Sequence, residues 1–203
     1  MLNEFRVDSI EHWRQMCPAL TVEGGTEPAE HRFEKIGELL DDLRVEGYVH
    51  VPDVLPAAVF EPLRDCVTVL HRSGIPLPFA FVYDEFWLVY RRVAHFIGAA
   101  LGEDYRALPD FWVWYVPPND QGAGWGPHRD RVQPSLDPSR LPSFTERLGL
   151  IGKQALQYRH MYPLTPDVEQ TAVDLRDRYM PEVIANAGGT QPLGRFPAAT
   201  SPG

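Results

Sequence analysis

A chain that carries Phe111-Trp112-Val113-Trp114-Tyr115-Val116 and then Pro117-Pro118 has few ways to fold around it. Read as a strand from Leu108 to Val116, Phe111, Val113 and Tyr115 point one way, and Trp112, Trp114 and Val116 the other. A strand apolar on both faces is buried between layers or lines a pocket. Trp112 and Trp114 are therefore core residues or an aromatic wall beside a ligand. The two prolines stop any ladder, because neither has an N–H to donate. A Gly-, Asn- and Gln-containing loop follows, and then Trp125-Gly126-Pro127-His128-Arg129-Asp130.

The rest of the chain reads mostly as helices. Phe33, Ile36, Leu39, Leu40 and Leu43 recur at helical steps over 31–46, and Gly47 ends that run. Tyr48 to Val51 alternates like a short strand before Pro52. A second helix starts near Pro56, lined by Val59, Leu63, Val67 and Leu70, and closes at Ser73-Gly74. Pro76 and Pro78 make a break, and an aromatic third helix covers Asp84 to Leu101. Phe144 to Tyr162 is helical in spacing, although Gly149 and Gly152 weaken it. Thr165-Pro166 starts a last helix running to about Met180. Residues 1–30 read as a polar leader onto which Trp13 can pack. Residues 31–185 read as one domain, and 186–203 as a Gly/Pro/Ala-rich disordered tail.

With 203 residues the chain can bury a real core. Its net charge of −9 excludes nucleic acid as the main partner and adsorption to anionic membranes. No basic and apolar secretory signal and no spanning apolar run is present, so the expected location is cytoplasmic. Cys17 and Cys66 can pair, but two free thiols are the expectation there.

His128 and Asp130, two residues apart, project to one face of an extended segment, so imidazole and carboxylate can share a metal ion. With a second His from later in the chain they make the facial triad of non-haem Fe(II) oxygenases. His160 is the later His, with a helix-terminal role as the alternative. No phosphate loop, dinucleotide fingerprint or nucleophile elbow competes with this pair. His50, His71 and His95 read as structural histidines, Asp84-Glu85 as a helix start, and Arg91-Arg92 as a solvated face.

The order of Gly47-Tyr48-Val49-His50-Val51-Pro52-Asp53-Val54-Leu55-Pro56, the aromatic strand, Pro117-Pro118-Asn119 and Trp125-x-Pro-His128-x-Asp130 resembles the phytanoyl-CoA dioxygenase-like family of Fe(II)/2-oxoglutarate-dependent oxygenases. The resemblance covers about residues 31–135. It implies an α+β fold: N-terminal helices packed on a double-stranded β-helix, a jelly-roll or cupin-like core, here incomplete, followed by C-terminal helices. It implies Fe(II) as cofactor, 2-oxoglutarate as cosubstrate, and hydroxylation of an aliphatic carbon of a small-molecule substrate. His128 and Asp130 match the family's first His and its carboxylate. Trp112, Trp114, Tyr115 and Trp125 would line the pocket. The family's further strands, distal His and 2-oxoglutarate-binding Arg have no clear counterpart after Asp130. A catalytically defective or truncated member is the alternative, and a helical interaction protein with an accidental His-x-Asp is a third reading. Substrate and oligomeric state are not fixed by these motifs.

Overall fold

The computed structural model describes residues 6–102, 104–107, 110, 111, 113, 136, 140–159 and 164–186. Among these, helix accounts for 63% and no β-sheet is present. The α+β jelly-roll expectation is therefore overturned for the described residues. The β-pairing found there is one isolated antiparallel bridge, Ala107 to Leu136. Tyr48 to Val51 forms no strand with any described residue. Asp110, Phe111 and Val113, from the expected aromatic strand, lie in no ladder. Alternating large side chains report burial, and an irregular segment threaded into a core shows the same pattern as a strand.

The first helix, α1 (Ile10–Met16), begins at Ser9, whose hydroxyl accepts from the His12 N–H at 3.3 Å. It belongs to the core. Trp13 is fully buried, stacks on Phe79 at 5.5 Å, and donates its indole N–H to the Val7 carbonyl at 2.9 Å. The Tyr83 hydroxyl donates to the Trp13 carbonyl at 2.8 Å. Cys17, Leu20 and Val22 are buried beside it.

Next comes α2 (Ile36–Glu46), shorter than the 31–46 periodicity suggests. Gly47 closes it in the left-handed region at φ 78°, where a side chain would be strained. The amphipathic α3 (Ala57–Arg72) buries Leu63, Cys66 and Leu70. Between Pro76 and Tyr83 the chain winds as a 3-10 helix, Leu77–Val82, with every residue buried. This segment packs against both α3 and α6, and it is the centre of the core.

The expected long helix from 84 to 101 is three pieces: α4 (Asp84–Leu88), a 3-10 turn Val89–Val93, and α5 (Ala94–Leu101). Long-range bonds occupy the junction. The Arg92 carbonyl accepts from the His31 N–H at 2.9 Å, and the Arg92 guanidinium donates to the carbonyls of Val54 and Ala29, both at 3.0 Å. Arg92 therefore fastens two earlier loops and is no solvated face.

The C-terminal pair is α6 (Phe144–Gln157) and α7 (Pro166–Asn186). Ser143 and Glu146 form a capping box at the start of α6. Gly149 and Gly152 cost helix propensity, but they let α7 approach. A Cβ on Gly152 would lie 2.5 Å from the Ala172 carbonyl oxygen, and one on Gly149 would lie 2.8 Å from the Tyr179 backbone. Val168, Ala172, Leu175 and Val183 fill the inner face of α7.

A buried ion pair joins α6 to the start of α4. Arg147 on α6 pairs with Asp84, both essentially without solvent contact. The guanidinium also donates to the carbonyls of Val82 and Pro142, each at 2.8 Å. The carboxylate accepts from the N–H groups of Glu23 at 3.1 Å and Gly25 at 2.6 Å. These bonds satisfy both charges, which burial requires. Asp84 and Glu85 thus hold the segment 21–25, with Glu85 accepting from the Thr21 N–H. No helix among the described residues is long and apolar enough to cross a membrane.

Candidate functional site

A cavity of about 330 Å³ lies where α4, α5 and the loop before α6 meet. Its aromatic wall includes Phe81, Trp87 and Phe111. The 3-10 segment supplies Phe81, whose ring centroid is 4.0 Å from that of Phe111. Trp87 meets Phe111 edge-on at 5.2 Å, and its indole N–H donates to the Phe81 carbonyl at 2.6 Å. That bond fixes the indole plane and leaves its apolar face to the cavity cluster.

Polar groups line the same space. Arg91, Tyr105, Arg106, Asp110 and Arg140 all contribute. Arg91 pairs with Glu27, and Lys153 reaches Asp110 at 3.0 Å. Arg140 grips Glu146 through two bonds, at 2.7 and 2.6 Å. Burial alone would push the Glu146 carboxyl up. The Arg140 guanidinium, the Ser143 N–H and the Asn186 amide outweigh that and hold it down at about 2. The cavity thus joins apolar walls to several guanidinium groups, a composition suited to a small molecule with an anionic end.

His128, Asp130, His160, Trp112, Trp114, Tyr115 and Trp125 all lie outside the described residues. Phe111 and Val113, next to Trp112 and Trp114, are described. Phe111 is buried, and Val113 is partly buried against the same core. Ala107 and Leu136 exchange both backbone hydrogen bonds, at 3.2 and 2.7 Å, and both line the cavity. Ala107 and Leu136, the described positions on either side of the stretch from Trp114 to Asp130, therefore meet at the cavity.

Two other histidines make local contacts. His95 accepts from the Phe33 N–H at 3.3 Å, and His31 packs edge-on against Phe33. Among the described residues no group of three or more His, Cys, Asp or Glu side chains is placed to hold a metal ion. Sequence reasoning did not single out Phe81, Arg106 or Arg140 as cavity residues. Phe81 hides in what reads as a proline break, and the two arginines stand in loops with no periodicity to give them a face.

Fold and site together define a predominantly helical protein, over its described residues, with an aromatic cavity lined by Ala107 and Leu136. No protein-family model, curated protein or solved structure matches the chain.

Proposed function

We propose that the chain is an Fe(II)/2-oxoglutarate-dependent oxygenase of the phytanoyl-CoA dioxygenase-like kind, hydroxylating an aliphatic carbon of a small molecule. The observation that carries this reading is the aromatic cavity at the paired ends, Ala107 and Leu136, of the stretch holding His128-x-Asp130. Imidazole nitrogen and carboxylate oxygen are donors that suit Fe(II) with open positions, so the residue types fit the metal. His128 and Asp130 would hold it, with His160 as the candidate third ligand. When bound, iron with 2-oxoglutarate and O2 supplies an oxidation that releases succinate and CO2. Phe81, Trp87 and Phe111 exclude water and pack the aliphatic part of a substrate. The positive charge of Arg91, Arg106 and Arg140 at the cavity favours a substrate with an anionic end.

Purified full-length protein given Fe(II), ascorbate, 2-oxoglutarate and O2 should form succinate in an iron-dependent way. His128→Ala and Asp130→Ala should each abolish it. Iron bound through His128 without succinate would favour the catalytically defective alternative. Iron binding unchanged in both variants would sink the metal assignment altogether.

The helical architecture favours a second reading, a binding module that uses the cavity without chemistry. On that reading a medium-chain carboxylate protects the protein against thermal unfolding, and iron makes no difference to the protection.

A further inference from the structure

Residues 27–33 have no regular secondary structure, yet a row of bonds ties them to the Val89–Val93 turn and to α5. Glu27 pairs with Arg91. The Ala29 carbonyl accepts from the Arg92 guanidinium at 3.0 Å, and the His31 N–H donates to the Arg92 carbonyl at 2.9 Å. Phe33 closes the row. Its N–H donates to His95 Nδ1 at 3.3 Å, and its ring centroid lies 5.6 Å from that of Phe96. Tyr90, Ile97 and Leu101, on the same turn and helix, line the cavity of about 330 Å³ instead. Arg91 belongs to both sides: it lines the cavity and pairs with Glu27. We propose, on the reading of the cavity as a site for a small molecule with an anionic end, that residues 27–33 are a strap regulating it, released when the ligand takes the Arg91 guanidinium from Glu27.

The two ends of the Arg91–Glu27 pair sit differently. The Glu27 side chain is 67% exposed and that of Arg91 21%. Water competes for an exposed carboxylate, so such a pair is weak. A carboxylate inside the cavity meets the same guanidinium among aromatic walls, where the attraction is stronger. Two carboxylates brought to one guanidinium repel each other, so ligand and Glu27 bind in competition. An irregular segment keeps its conformation only through such ties, because each ordered residue costs backbone entropy. The strap leads directly into α2, no residue of which is fully buried, so little beyond the row itself holds it closed. Coupling of this kind is reciprocal. Whatever loosens the strap tightens ligand binding by the same factor.

The experiment titrates octanoate into the full chain, its Glu27→Gln and Arg91→Ala variants and the double variant by calorimetry, and follows exchange of the His31 and Phe33 amides by NMR. Glu27→Gln should tighten octanoate binding by about threefold, the scale of a partly exposed ion pair. Arg91→Ala should weaken binding, and in that background Glu27→Gln should change nothing further, because the coupling passes through the guanidinium. Saturating octanoate should speed exchange of both amides in the unaltered chain, and Glu27→Gln should show the faster exchange without ligand. Octanoate bound equally by the unaltered chain and Glu27→Gln would overturn the strap and leave the cavity reading standing. So would a Glu27→Gln effect that persists without Arg91, or slower exchange of the two amides with ligand. No octanoate binding to any of the four proteins would remove the anionic-end reading and the strap with it.

Discussion

Helices α2 and α6 are both amphipathic by sequence, yet they lie at opposite ends of the molecule's packing. α2 buries none of its residues, and Val45 and Tyr48 at its end are 79% and 67% exposed. α6 buries ten of its fourteen, including Glu146, Arg147 and Gln154. The difference lies in what each helix meets. α6 has α7 on one side and the 3-10 segment on another, and its two glycines let backbones approach. A helical stripe states that a face can be buried. Only a complementary neighbour makes it so.

Breaking the α6 side should be costly. Arg147→Ala leaves the Asp84 carboxylate buried without its counter-charge, and a loss of about 3–5 kcal/mol is expected in denaturant unfolding. The double variant Asp84→Asn with Arg147→Met should recover part of this, because it removes both charges. Gly152→Val puts a branched side chain against the Ala172 carbonyl and the Arg176 N–H, neither of which can step aside. About 3 kcal/mol is expected, with a thermal melt as the check.

Acid should act on the same region. The Glu146 carboxyl titrates at about 2 in the fold against an ordinary 4.5, so its contribution is complete above the ordinary value. It fades as pH falls toward 2, by on the order of 2–3 kcal/mol in total. Glu146→Gln should flatten that part of the stability profile. Leu40→Ala on α2 should cost no more than about 1 kcal/mol, since Leu40 is only half-buried and no residue of its helix is fully buried. A cost there above about 2 kcal/mol would show that α2 is covered in solution.

Local signals in the sequence were reliable where the physics is local. Gly47, Ser73-Gly74 and Thr165-Pro166 mark helix ends, and the Phe144 and Pro166 starts agree with the structure. What was illegible depends on distant partners. Asp84 reads as a helix-start acid, but its counter-ion stands 63 residues away. Leu77 to Val82 reads as a break because two prolines punctuate it, yet its apolar side chains form the centre of the core. Trp13 sits in a polar stretch whose average hides one buried indole. The jelly-roll expectation came from the family resemblance; the strands read at Tyr48–Val51 and Leu108–Val116 rested on alternation, which alone does not name a pairing partner. Of the candidate site, the sequence marks His128 and Asp130, while the cavity comes from residues scattered between Phe81 and Pro142.

The Asp84–Arg147 pair also bears on the order of folding. α6 and α7 are joined by a short connection and can dock as a local hairpin with little loop-closure entropy. The ion pair must close a long stretch of chain, and closure traps two charges in a site that only the finished core can satisfy. Amide exchange should therefore protect α6 and α7 earlier in refolding than the segment 21–25, which depends on Asp84. Simultaneous protection of the two would contradict that sequence of events.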